Sequence, residues 1–131
     1  MARISALLLA AALLQMAVEV MAAEGDVRTC TLTRAIECLP DEGCAEWTIQ
    51  EIDLPRFVRI DLKSKAITSL DREVKRTTKI ATIDRQQDLT VLHGTEQRGW
   101  SIALGESSGE LTLTASGDGE GFIVFGSCIN P

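Results

Sequence analysis

From residue 56 onward, apolar and polar positions alternate with period two. Val58-Arg59-Ile60-Asp61-Leu62, Trp100-Ser101-Ile102-Ala103-Leu104 and Leu111-Thr112-Leu113-Thr114-Ala115 each put apolar side chains on one side and polar ones on the other. Leu89-Thr90-Val91 and Phe122-Ile123-Val124 continue the pattern less strictly. Such alternation predicts half-buried strands, because successive side chains of a strand point to opposite faces. Polar clusters break the runs at Lys63-Ser64, Gln86-Gln87-Asp88 and Gln97-Arg98-Gly99. Gly105–Gly109 and Gly117–Gly121 read as hairpin loops, since glycine adopts positive φ without a steric cost.

The pattern predicts about eight strands, near 27–34, 46–53, 56–62, 65–70, 76–84, 88–94, 99–104 and 110–116, with 121–128 as a ninth. The expected fold class is all-β: a small antiparallel meander barrel or sandwich, stapled by disulfides. Ser69-Leu70-Asp71-Arg72-Glu73-Val74 could instead cap one or two helical turns, with Ile67, Leu70 and Val74 on one face. The expected inward set is Val58, Ile60, Leu62, Ile80, Leu89, Val91, Trp100, Ile102, Leu104, Leu111, Leu113, Phe122 and Val124. Trp100, at a strand start after a turn, reads as a plug of the sheet or barrel.

The first 23 residues are of a different kind. One positive charge at Arg3 precedes an Ala/Leu-rich uncharged run from Ile4 to Leu14, and Met21-Ala22-Ala23 supplies small residues. This is the layout of a secretory signal peptide with cleavage after Ala22 or Ala23. An uncleaved anchor would place Glu19 at a costly depth in the bilayer. Without residues 1–23, the mean hydropathy of +0.10 loses its main apolar source. Residues 24–131 then read as a single polar β domain.

That domain holds Cys30, Cys38, Cys44 and Cys128. An even count in a small exported domain reads as two disulfides. Three pairings are possible. Pro40, Asp41 and Gly43 supply turn chemistry between Cys38 and Cys44, which favours a local bond there and leaves Cys30 to pair with Cys128. The spacings do not match the short Cys-x-x-Cys pairs of zinc or redox sites.

The net charge of −6 is unevenly spread. Residues 24–53 sum to −6, residues 54–85 to +5 and residues 86–131 to −5. The basic stretch offers Arg56, Arg59, Lys63, Lys65, Lys75, Arg76 and Lys79 as candidate partner-binding residues, with Arg72 and Arg85 beside them. Its functional reading is contact with anionic headgroups or an acidic envelope protein. Its structural reading is a solvated face paired to acids on neighbouring strands. Nucleic acid is not expected of an acidic, exported domain with no aromatics among its bases.

Candidate chemistry is sparse. His93 is the sole histidine and has no sequence neighbour suited to be a nucleophile, so no catalytic residue is assigned. Asp118-Gly119-Glu120-Gly121 lacks the twelve-residue ligand spread of a calcium hand and reads as a turn. No metal and no cofactor are expected.

Arg76-Thr77-Thr78-Lys79-Ile80, Leu89-Thr90-Val91-Leu92-His93-Gly94, Arg98-Gly99-Trp100-Ser101 and Gly121-Phe122-Ile123-Val124-Phe125-Gly126-Ser127-Cys128 follow one another in this order. Over about residues 56–130 the chain resembles small exported proteobacterial proteins of unassigned function, which implies an exported β domain and no activity. It also resembles periplasmic lysozyme-inhibitor barrels through a Cys near the C-terminus. Their Ser-Gly-x-x-Tyr motif is not present, as the chain has no Tyr.

The function expected is therefore that of an exported, non-enzymatic binding or accessory module of the bacterial envelope, in the periplasm or the medium. The alternatives are an inhibitor of a lysozyme or another hydrolase, using Pro40–Gly43 or Gly105–Gly109, and a lipocalin-like carrier of a small apolar ligand.

Overall fold

A computed structural model describes residues 24–129; the expected signal peptide lies outside them. A short 3-10 turn, Glu24–Asp26, leads into ten strands: β1 (Val27–Leu39), β2 (Gly43–Trp47), β3 (Phe57–Asp61), β4 (Ala66–Ser69), β5 (Thr77–Lys79), β6 (Thr82–Arg85), β7 (Leu89–Gly94), β8 (Gly99–Gly105), β9 (Glu110–Gly117) and β10 (Glu120–Ile129). All pairings are antiparallel. The strand order is β5-β4-β3-β1-β10-β9-β8-β7-β6, and β2 pairs with β1.

The sheet curls into a half-barrel. Its two ends, β5 and β6, are successive pieces of one segment, so the predicted strand 76–84 is interrupted. Ile80 N donates to Lys65 O at 2.9 Å and Ala81 N to His93 O at 2.8 Å. At that step the segment leaves one end of the sheet and joins the other. Both edge strands are short, β5 of three residues and β6 of four, which blunts edges that would template aggregation.

β1 organises the rest. Its first half pairs with β3 on one side and β10 on the other, and its second half has β2 in place of β3. An extra residue at Thr33 shifts the register against β10 between Leu32 and Arg34. A bulge of this kind bends the strand and adds twist, which suits a strongly curled sheet. Cys30 stands directly opposite Cys128, and Cys38 opposite Cys44. Both pairs are bonded, so the first long strand is fastened to the last and the β1–β2 hairpin is clamped near its turn. Two disulfides suggest an oxidising, extracytoplasmic setting. No helix among the described residues is long and apolar enough to cross a membrane.

Side chains fill the barrel interior. Leu32, Val58, Ile60, Leu62, Ile80, Leu92, Ile102, Leu104, Leu111 and Val124 are buried together, with Cys30, Ala35 and Ile49. Trp100 packs against this core as expected of a plug. It faces Gly94 across β7 and β8, where a Cβ would lie 2.1 Å from the indole ring.

Three expectations are corrected. In β7 the phase is reversed: Thr90 and Leu92 point inward, while Leu89 is 36 % exposed and Val91 only partly buried. Thr90 tolerates burial at 2 % exposure because its hydroxyl meets Glu106 Oε1 at 2.5 Å. The strand expected over 46–53 is displaced to Gly43–Trp47, and residues 48–54 form a turn. There Glu51 accepts hydrogen bonds from Thr48 N and Thr48 Oγ1 at 2.8 and 2.9 Å, so local side chains outcompete sheet pairing. The helical alternative after Ser69 does not form. Ser69 Oγ accepts from Asp71 N, and the Asp71 carboxylate accepts from Arg56 N and Phe57 N at 2.8 and 3.0 Å.

Candidate functional site

Of the predicted basic residues, Arg59 lies on β3 and Lys79 on β5, and the others lie in the segments that flank and join β3, β4 and β5. The register aligns Arg59, Thr68 and Thr77 across the three strands, and Asp61, Ala66 and Lys79 in the next outward row. Lys63 and Lys65 occupy the β3–β4 turn, and Lys75 the approach to β5. Arg56 precedes Phe57, and its guanidinium carbon lies 5.9 Å from the Phe57 ring centre. Leu70 N donates to Phe57 O at 2.9 Å, which puts these two residues side by side. Phe57 is 45 % exposed and Leu70 49 %. Ile123 and Phe125 add further exposed apolar surface on the outer face of β10.

The acids of this region are turned to other tasks. Asp71 holds the backbone at Arg56 and Phe57. Asp61 accepts from Ser64 N and Lys63 N, both at 3.1 Å, and the first of these is the main cause holding its carboxyl below the ordinary value. The cross-sheet pairing expected for the basic stretch is therefore thin. Arg59 reaches Asp61 at 3.9 Å and Arg85 reaches Asp26 at 3.3 Å. Among the described residues, Arg56, Lys63, Lys65, Arg72, Lys75, Arg76 and Lys79 have no ion-pair partner. Arg76 does not belong with the others. It turns toward Asp53 O at 3.5 Å and lines a cleft with Ile67, Trp100 and Ile102.

A second site was not foreseen from the sequence. Beyond the filled core, the concave side of β1, β2, β9 and β10 opens into a cleft of about 340 Å³. Trp47, Leu113 and Phe122 supply its apolar surface. The turn over 48–54 closes one side, with Ile49 buried and Ile52 and Leu54 packed on the core. Arg98 stands over the Phe122 ring at 4.9 Å and is held by Glu120 at 2.7 Å. Glu37, Glu51 and Asp53 bring further carboxylates to the cleft. The sequence held one signal for it: Thr48-Ile49-Gln50-Glu51 has capping-box spacing, which marks a turn rather than a strand.

At the opposite end, Arg28 is a buried cation. It donates to Gly25 O, to Val27 O at 3.2 Å and to Glu106 Oε2 at 2.9 Å. Glu106 lies in the Gly105–Gly109 loop, whose ends are drawn in by Gly109 N to Gly105 O and Cys128 N to Gly109 O. Gly109 has φ of +74°, and a Cβ there would meet Cys128 O at 2.6 Å. This loop is pinned to the barrel rather than projecting from it. Pro40–Gly43 is different: it forms the exposed tip of the clamped β1–β2 hairpin.

His93 has neighbours that the sequence separates. Its Nε2 lies 3.4 Å from Asp84, and Ser101 stands directly across from it on β8. Ser101 nevertheless sits within a strand paired on both sides, to β7 and β9. Its backbone is committed to the sheet, unlike that of a serine on a sharp turn beside an oxyanion hole. Among the described residues no group of three or more His, Cys, Asp or Glu could hold a metal ion. Comparison of the chain with protein-family models, with curated proteins and with solved structures gives no match in any of the three.

Proposed function

We propose that this chain is an exported, non-enzymatic binding module of the bacterial envelope, and that the outer face of β3–β5 docks an acidic protein partner. The carrying observation is the exposed Phe57–Leu70 pair, set with cations of which only Arg59 has an ion-pair partner among the described residues, Asp61 at 3.9 Å. Aromatic and Arg side chains are the anchors enriched at protein interfaces, while Lys is the usual residue of a polar rim. Arg56 and Phe57 stand at the start of β3 and Arg59 at its middle, with Lys63 and Lys65 in the turn that follows and Lys75 and Lys79 at β5. A filled interior also favours action at the surface over carriage of an apolar ligand inside the barrel.

The test immobilises the disulfide-intact protein and passes envelope extract of the source organism over it. Phe57→Ala combined with Arg59→Glu should abolish retention of an acidic protein that the wild type holds, and added salt should weaken the wild-type complex. Equal retention by both forms would overturn the proposal. So would binding to anionic phospholipid vesicles with no retained protein, since it would assign the face to a membrane surface.

Inhibition of a hydrolase is a second reading, favoured by the exposed, disulfide-clamped tip at Pro40–Gly43. Gly105–Gly109 is withdrawn from that role because it is folded against Arg28 and Cys128.

A further inference from the structure

The cleft on the concave side of β1, β2, β9 and β10 has features that the outer basic face does not explain. Barrel mouths are common places for small-molecule sites, and useful clefts begin near about 300 Å³. This one has about that volume. Its inner wall is apolar and aromatic, through Trp47, Leu113 and Phe122. Its charge is lopsided: Glu37, Glu51, Asp53 and Glu120 face the single cation Arg98.

These carboxylates are not equivalent. Glu120 is engaged by Arg98, and Glu51 by Thr48. Glu37 is directly opposite Phe122 on β10 and Ala45 on β2. Among the described residues it takes part in no ion pair and no side-chain hydrogen bond. The same is true of the Asp53 carboxylate. A partly buried carboxylate beside an aromatic ring attracts a cation, and the ring face attracts one as well. The molecule already shows this preference internally, in the placement of Arg98 over Phe122.

We infer that the barrel mouth is a binding site for a small organic cation with an apolar body. The ammonium group is held by Glu37, and the body lies against Phe122, Leu113 and Trp47. Anions are rejected by the four carboxylates, and neutral analogues lose the contact with Glu37. This site is independent of the outer face of β3–β5 and stands or falls separately from it.

The test uses phenethylammonium as the probe, with phenethyl alcohol and phenylacetate as its neutral and anionic counterparts. Trp47 emission is read in the disulfide-intact protein, and Trp47→Phe separates it from Trp100. Phenethylammonium should shift the emission saturably, and each counterpart should bind at least about tenfold more weakly. Glu37→Gln should remove that preference. Glu46→Gln should keep it, because Glu46 pairs with Arg34 away from the cleft. Equal binding of the three probes, saturation that survives Glu37→Gln, or no saturation by phenethylammonium would each overturn the inference. Tighter binding of a lysine-containing tripeptide would also overturn it, by assigning the mouth to a peptide side chain.

Discussion

Glu106 illustrates how a single residue can hold one end of the barrel. The Thr90 hydroxyl, first, and then Arg28 hold its carboxyl below the ordinary value, against the opposing effect of burial. A carboxylate depressed in the folded state adds stability that is present above its unfolded pKa of about 4.3 and is lost as pH falls through the folded value. Denaturant unfolding at neutral pH and near pH 3 should therefore show an acid loss that is smaller in Glu106→Gln. Arg28→Met and Glu106→Gln should each be destabilising, because each weakens the bonding of a buried or partly buried polar partner, at a cost of about 1–3 kcal/mol. Gly94→Ala tests a different residue-scale contact. The new methyl group meets the Trp100 ring, so the indole must move, at an overpacking cost of about 1–3 kcal/mol. Near-ultraviolet circular dichroism should report the displaced indole directly.

Among the elements, the two disulfides have unequal consequences. Cys30–Cys128 closes a separation of 98 residues, and Cys38–Cys44 one of only 6. In the chain-entropy model, loss of the long loop costs about 4–5 kcal/mol, and loss of the short one about 2 kcal/mol. Cys30→Ala with Cys128→Ala should lower the denaturant midpoint sharply. Cys38→Ala with Cys44→Ala should lower it about half as far and speed amide exchange in β2. Legibility of the elements follows the same physics. Strands with clean alternation, such as β3, β8 and β9, could be read from the sequence because one face is wet and the other dry. β7 could not be phased, because Leu89, Val91 and Leu92 put apolar residues on both faces. Only the distant Glu106 makes the inward Thr90 acceptable. The turn over 48–54 was hidden by its own apolar residues, which face the core without any strand to carry them.

At the scale of the whole molecule, the sequence disclosed an all-β, doubly stapled domain and the set of cations on its outer face. It did not disclose the mouth cleft, since Glu37, Arg98 and Phe122 meet only through the β1–β10 and β8–β9–β10 pairings. Nor could it place Arg76 apart from its basic neighbours, because the path of the segment leading into β5 is set by pairing with β4. The segregated charge does have a visible outcome: most of the basic stretch lies in and between β3, β4 and β5, and of its members only Arg59 and Arg85 are ion-paired among the described residues. Docking at that surface is open to photo-crosslinking in cells. A benzophenone side chain is placed at Phe57 or, as a control, at the exposed Gln87 in the β6–β7 turn. Docking through β3–β5 predicts one dominant adduct with an acidic envelope protein from position 57, none from position 87, and loss of the adduct when Arg56 and Arg59 are both changed to Glu. No adduct from position 57, or the same adducts from both positions, would contradict it.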